Sequence, residues 1–185
     1  MTLPEPDHLP DVVEPEILEI TVVPTEISDH GFDRFYRVHH NRIAKGLAFS
    51  LGDVDLAAEA TDEAFVRAYE RWAKVQRLDR PDAWVYRVAS NWATSVLRRR
   101  RRSPHRLYEP NVDAPAIADP AVHAGLAALD VKHRSVVVCR YLLGWSVAET
   151  AAALGLREGT VKSRLHRALQ TLHSALHHLD PKDQR

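Results

Sequence analysis

The sequence predicts an all-α protein with two small helical domains joined by a flexible linker, the second domain containing a helix-turn-helix. Apolar residues recur at helical spacing, no convincing alternating strand pattern is found, and prolines cluster at two places. Five of the 11 prolines lie in residues 1–24 and four in residues 104–120, as is typical of linkers. The predicted parts are an acidic, disordered extension (1–30), a first domain (31–102), a linker (103–120), a second domain (121–178) and a tail (179–185).

Charge is distributed unevenly along the chain. The formal net charge is zero over 185 residues, yet residues 1–30 contain eight acidic side chains and neither Lys nor Arg. The remainder therefore has 17 acidic against 25 basic residues. The body is basic, as is usual in a protein that binds a polyanion.

Composition excludes several classes of protein. No apolar run of about 18 residues is present, and the N-terminus lacks the features of a signal peptide, so we expect a cytoplasmic protein. The single cysteine, Cys139, lies in the run VVVCRYLL and is expected to be a buried, inert thiol. His173 and His177 have the spacing of metal ligands but no third ligand follows, so no metal and no cofactor are predicted. No constellation of residues has catalytic spacing, and no enzyme is predicted.

Three helices are predicted in the first domain. The first contains apolar residues from Phe32 to Leu47, and Gly52 with Asp53 then supplies a stop and an N-cap. The second runs from Val54 to Val75, and the basic loop Lys74 to Arg80 leads to a third that begins at Pro81.

The third helix combines aromatic and basic residues. It contains Trp84 and Trp92 and ends in Arg98, Arg99, Arg100, Arg101 and Arg102. Aromatic rings beside a cationic track suit single-stranded DNA. The alternatives are that the arginines stay solvated and that the two tryptophans belong to the core.

The second domain contains the clearer motif. One helix is predicted from Leu126 to Leu143, ended by Gly144. Ser146 and Glu149 then have the spacing of a capping box, and a short helix from Val147 to Leu154 stops at Gly155. A longer helix follows from Glu158 to His177, which completes a helix-turn-helix layout.

The last helix is amphipathic. Its apolar stripe consists of Val161, Leu165, Ala168, Leu169, Leu172 and Leu176. The outer face is polar and basic near its N-terminal end, where a recognition helix contacts bases, and carries Lys162, Ser163, His166, Arg167 and Gln170. We expect this face to contact DNA, the alternative being an ordinary solvated face.

Two segments together resemble a known family. AAEATDEAFVRAYERWAKVQRLDRPDAWVYRVASNWATSVLRRRRR resembles the second domain of bacterial extracytoplasmic-function (ECF) sigma factors, and LLGWSVAETAAALGLREGTVKSRLHRALQTL resembles their fourth domain. The resemblance covers both predicted domains in the family's order. It implies a sigma factor that binds core RNA polymerase, directs it to promoters and helps to open the DNA.

The resemblance also implies the role of particular residues. Those expected to contact the polymerase are Asp62, Glu63 and Phe65. Those expected to read the minus-ten element are Asn91 and Ser95, with the loop Lys74 to Arg80 holding a flipped-out base. Those expected to contact the minus-thirty-five element are Lys162, Ser163, His166 and Arg167.

The resemblance implies core RNA polymerase and promoter DNA as partners, and it allows for an anti-sigma factor as a third. A monomer without membrane insertion is expected for the free protein. Asp62 and Arg157 depart from the family, where Gln and a capping Ser are frequent at the matching positions. The extension is absent from minimal members, and either has no role or screens the arginine run or the recognition helix.

Two other functions remain open on sequence grounds. A helix-turn-helix regulator could bind duplex DNA without being a polymerase subunit, but this leaves the arginine helix and the pair Asp62 and Glu63 unexplained. A sigma-like protein could also bind the polymerase or a regulator without starting transcription.

Overall fold

The computed structural model describes residues 29–102 and 120–178, and every regular element in these ranges is helical, which confirms the predicted all-α class. The first unit consists of α1 (Asp29–Leu51), α2 (Val54–Glu70), α3 (Trp72–Val75) and α4 (Pro81–Arg102). The second consists of α5 (Pro120–Ala127), α6 (Val131–Val137), a π-helical segment (Val138–Leu142), α7 (Val147–Leu154) and α8 (Glu158–His178). The predicted extension up to residue 28, the linker from residue 103 to 119 and the tail from residue 179 lie outside the described residues.

Local signals fix the helix ends of the first unit as predicted. Gly52 ends α1 with a φ of +72°, a conformation that glycine adopts without steric cost. The Asp53 carboxylate then accepts the backbone N–H of Leu56 at 2.9 Å and caps α2. Pro81 begins α4, where its missing N–H would have had no partner in the helix.

The predicted helix from Val54 to Val75 is interrupted in the structure. The chain leaves the helical region at Arg71, whose φ and ψ are −118° and 18°, so α2 ends there and α3 forms a separate turn. The break allows Trp72 to point into the core, with its ring centroid 5.3 Å from that of Phe32. Burial of this large ring compensates for the interrupted helix.

The predicted single helix from Leu126 to Leu143 is also divided. Helix α5 ends at Ala127, and the Asp130 carboxylate caps α6 by accepting the backbone N–H of His133 at 2.9 Å. A polar residue that can cap a helix therefore starts a new one within the apolar run.

The last turn of this run widens into the π-helical segment. The Leu143 N–H donates to the Val138 carbonyl at 3.0 Å, and the wider turn rotates the side chains that follow. Cys139 is buried as predicted, whereas Tyr141 and Leu142 point outward.

The helix-turn-helix signals are confirmed. The Ser146 hydroxyl accepts the Glu149 N–H at 3.1 Å, and the Glu149 carboxylate accepts the Ser146 N–H at 2.7 Å. Gly155 ends α7 with a φ of +65°, in the left-handed region. Buried Val136, Ala151 and Val161 hold α6, α7 and α8 together.

The two units share a hydrophobic core. Helix α7 packs on α4, and α6 packs on α1. Trp145, which is 1% exposed, inserts into the first unit, where its ring is nearly perpendicular to that of Tyr86 at a centroid distance of 5.3 Å. Leu143 and Cys139 belong to the same buried cluster. No sequence signal predicts this contact between the domains.

Candidate nucleic-acid interface

The outer face of α8 carries the residues predicted to contact duplex DNA. Lys162, Ser163, His166 and Arg167 are all exposed, while Val161 and Ala168 on the opposite side are buried. The Ser163 hydroxyl donates to the Thr160 carbonyl at 3.1 Å, so it rests against its own helix. The four side chains thus form one basic, polar surface near the beginning of the helix.

A second basic surface lies between α2 and α4. Its groove brings the predicted pair Asn91 and Ser95 together with three arginines and a tryptophan. The residues that line it are Arg67, Val88, Asn91, Trp92, Ser95, Arg98 and Arg99. An amide that can donate and accept hydrogen bonds therefore stands beside cations and an aromatic ring. This combination suits an unpaired base with its phosphates.

The arginine run begins at this groove, which Arg98 and Arg99 line, and forms the end of α4. Arg98, Arg99 and Arg102 are exposed and Arg100 is half-buried, while the side chain of Arg101 lies outside the described residues. Trp84 and Trp92 are half-buried and pack against the core. Only Trp92 of these two also lines the groove. The structure therefore assigns core packing to both rings and, in addition, groove surface to Trp92.

The basic loop before α4 contacts the second unit. Lys74 and Arg77 are exposed, but Arg80 binds the Asp82 carboxylate at 2.8 Å and also forms an ion pair with Glu149 of α7. Its guanidinium carbon lies 5.8 Å from the ring centroid of Trp145, within reach of a cation–π contact. The helix-turn-helix is therefore tied to the loop predicted to hold a flipped-out base.

Asp82 is the centre of this network. It is buried and accepts hydrogen bonds from the Arg80 guanidinium and, at 3.1 Å, from the indole N–H of Trp145. Burial acts to raise the pKa of Asp82, but the hydrogen bonds and charge of Arg80, with help from Trp145 and His39, hold the pKa below its usual value. The hydrogen bond to Asp82 in turn raises the pKa of Arg80. The contact between the units thus contains a buried, charged carboxylate.

The residues expected to contact the polymerase lie on α2 but differ in position. Asp62 is exposed and accepts a hydrogen bond from His40 of α1 at 2.7 Å, while Glu63 forms an ion pair with Arg67 at 2.6 Å. Phe65 is 2% exposed and packs against the rings of α1. Because its ring is enclosed, Phe65 supports the helix from within and is not part of the surface.

Sequence reasoning missed two residues of these surfaces. Val66 is 56% exposed on α2, next to Asp62 on the acidic face that also carries Asp55, Glu59 and Glu70. Arg67 joins the groove around Asn91. Helical periodicity predicts the exposure of Val66. Phe65 belongs to the buried stripe of α2, so the side chain of the next residue, Val66, points outward. Arg67 gave no such signal, because its place in the groove depends on how α2 and α4 pack.

The two units match two regions of one protein class. Residues 35–103 match the family described as Sigma-70 region 2, and residues 121–172 match the one described as Sigma-70, region 4. Region 2 followed by region 4 defines a sigma factor of the sigma-70 type.

Relatives that cover about four fifths of the chain specify the family. The ECF RNA polymerase sigma factor SigM of Mycobacterium tuberculosis is 32% identical over 157 residues, covering 82% of this chain and 80% of the relative. The RNA polymerase sigma-E factor of Streptomyces avermitilis is 35% identical over 155 residues, covering 80% and 87%. The chain belongs to the ECF family of RNA polymerase sigma factors.

Solved structures share the arrangement of helices. The sigma factor RpoE of Bartonella quintana, in complex with the anti-sigma factor NepR, matches with a TM-score of 0.68 at 20% identity, over 79% of this chain and 96% of that one. CnrH, in complex with the cytosolic domain of CnrY, matches with a TM-score of 0.56 at 28% identity, over 82% and 90%. Among the described residues, no helix is long and apolar enough to cross a membrane.

Proposed function

We propose that this sigma factor binds promoter DNA through two separate surfaces, α8 for the minus-thirty-five element and the groove between α2 and α4 for the minus-ten element. The observation that carries the proposal is that each unit exposes a basic surface at residues that the sequence alone singles out. Lys162 and Arg167 supply phosphate or guanine contacts in a major groove. Asn91 and Trp92 supply hydrogen bonds and stacking for an unpaired base.

The acidic face of α2 is the proposed surface for core RNA polymerase. Its exposed residues are Asp55, Glu59, Asp62, Val66 and Glu70. Asp62 provides charge and Val66 provides apolar area, the pattern of a polar rim around an apolar contact. An anti-sigma factor is a further proposed partner, supported by the complex in which RpoE was solved with the anti-sigma factor NepR.

Binding to both promoter elements requires the two units to separate. The elements lie about 25 base pairs apart, which is roughly 85 Å at 3.4 Å per base pair. A compact chain of about 150 residues has a radius of gyration of only about 15 Å. We therefore propose that the contact formed by Trp145, Asp82 and Arg80 opens when the protein engages a promoter.

Run-off transcription with core polymerase tests this function. Asn91→Ala and Lys162→Ala should each lower transcript yield by about 5- to 150-fold, since a good contact to a base contributes about 1–3 kcal/mol. Thr94→Ala and Ser174→Ala are matched controls, because both residues are exposed on the same helices outside the proposed contacts. Asp62→Ala should lower the yield when core enzyme is limiting. Binding of promoter fragments by the protein alone, with no transcript under any condition, would instead favour the helix-turn-helix regulator.

A further inference from the structure

An apolar cleft of about 520 Å³ opens where the two units meet. Phe49 at the end of α1 forms one side, and residues of α5, α6, the π-helical segment and α8 form the others. Four lining side chains are large and more than one third exposed: Val122, Tyr141, Leu142 and Leu169. A continuous apolar surface of this kind is typical of a docking site.

A basic stripe on α1 connects this cleft with the place where residues 1–28 join the helix. Arg34, Val38, Asn41 and Lys45 are exposed and follow one another at three- or four-residue spacing, so they share a face that ends at Phe49. Arg37 is exposed beside the stripe. Val38, which is 59% exposed, adds apolar surface within it. The stripe therefore favours a partner with both carboxylates and apolar side chains.

The N-terminal extension has this chemistry. Residues 1–28 contain the run ILEITVV, from Ile17 to Val23, in which Glu19 is the only charged residue. Glu14, Glu16 and Glu26 flank the run, and neither Lys nor Arg is present. Carboxylates of the extension can pair with the cations of the basic stripe, while the apolar run can cover the cleft.

The extension is long enough to reach the cleft from the start of α1. Asp29 and Phe49 are 20 residues apart in α1, or about 30 Å at 1.5 Å per residue. Ile20 precedes Asp29 by nine residues, which span about 30 Å in an extended chain at about 3.3 Å each. A chain that runs back along α1 thus brings Ile20 to the mouth of the cleft.

We propose that the acidic segment from Glu14 to Ser28 folds back along the basic stripe of α1 and docks its apolar run in the cleft between the two units. The consequence of this docking rests on the proposed function. Because the walls of the cleft come from both units, a docked segment holds them together and opposes the separation that promoter binding requires. The extension then restrains the sigma factor until a partner displaces it.

Disulfide trapping in the full chain tests the proposal with Ile20→Cys and Leu142→Cys. Cys139 does not compete, because it is 0% exposed and burial raises its pKa to about 12. The matched control pairs Ile20→Cys with Ala73→Cys. Ala73 is exposed next to Trp72, whose ring touches the start of α1 near Gly31, so an extension that moves freely would meet it more often.

Docking predicts that the disulfide with position 142 forms about tenfold faster than the control disulfide, because docking raises the local concentration of one thiol at the other. Replacing Arg34, Arg37 and Lys45 by Gln should slow formation of the disulfide between positions 20 and 142 at least about threefold. The rate of the control disulfide between positions 20 and 73 should stay unchanged. Equal or faster trapping at position 73 would overturn the proposal. Disulfides between two chains would also overturn it and assign the cleft to a second copy. The assay contains neither polymerase nor promoter, so its failure is distinct from failure of the transcription assay.

Discussion

The two units differ in where they bury their largest side chains. The first unit keeps Phe35, Phe65 and Trp72 within its own helices. The second unit has only small buried clusters of its own, and its largest buried side chain, Trp145, lies in the core of the first. The first unit can therefore retain its core when the units separate, whereas the second loses part of its packing.

The contact between the two units is apolar at its centre and charged at its edge, and a charged edge allows the units to separate in water. Trp145 and Leu143 are buried at the centre, while Arg80 and Glu149 lie half-buried at the edge, where water can solvate them after separation. Arg42 of α1 also donates to the Leu143 carbonyl across the contact. Charged groups at such an edge fix the alignment of the two units and contribute less free energy than the buried ring.

The largest expected effect follows from removing the ring itself. Trp145→Ala should lower the free energy of unfolding of the second unit by about 3–5 kcal/mol, because it leaves a cavity between the units. Hydrogen exchange should then accelerate in α6 and α7 much more than in α1 and α2. Trp72→Ala is the matched control and should accelerate exchange in the first unit. If Trp145→Ala accelerates hydrogen exchange equally in both units, the two units unfold as one. The second unit would then not depend on this contact more than the first.

A smaller effect is expected from the buried carboxylate. Asp82→Asn should cost about 2 kcal/mol at neutral pH, because it removes the negative charge and one of the two acceptor oxygens and leaves Glu149 as the ionic partner of Arg80. The folded state lowers the pKa of Asp82, so its contribution is present above the unfolded pKa of about 3.9 and is lost as pH falls through the folded value.

Denaturant titration across pH measures this contribution. The difference between the native protein and Asp82→Asn should be constant from about pH 7 to 5 and shrink at lower pH, as the native carboxylate becomes protonated. Asp79→Asn, on the exposed turn before α4, is the control and should leave stability almost unchanged. A difference that persists undiminished in acid would show that Asp82 acts through packing and not through its charge.

The sequence predicted the elements whose signals are local. The stop at Gly52, the cap at Asp53, the capping box of Ser146 and Glu149 and the turn at Gly155 each need only a few neighbouring residues. The exposed face of α8 followed from helical periodicity alone.

Features that depend on packing between distant segments were not predictable in this way. The break at Arg71 accommodates the burial of Trp72 against α1, and the π-helical segment accompanies the burial of Cys139 and Leu143 at the contact. The resemblance implies a polymerase contact for Phe65, whereas the structure buries its ring, because resemblance gives the helix but not the direction of each side chain. The charge network around Asp82 joins residues separated by more than 60 positions, and no local pattern predicts it.

The smallest expected effect separates the two roles of Glu149. Its carboxylate accepts the N–H of Ser146, the residue that caps α7, and also binds Arg80 of the first unit. Glu149→Gln keeps an acceptor for the cap but removes the charge, so it should cost only about 0.5 kcal/mol, while Glu149→Ala removes both and should cost about 1–1.5 kcal/mol. Thermal unfolding compares the two variants. If Gln costs as much as Ala, the ion pair with Arg80 outweighs the cap, and the second unit depends on the first for charge as well as for burial.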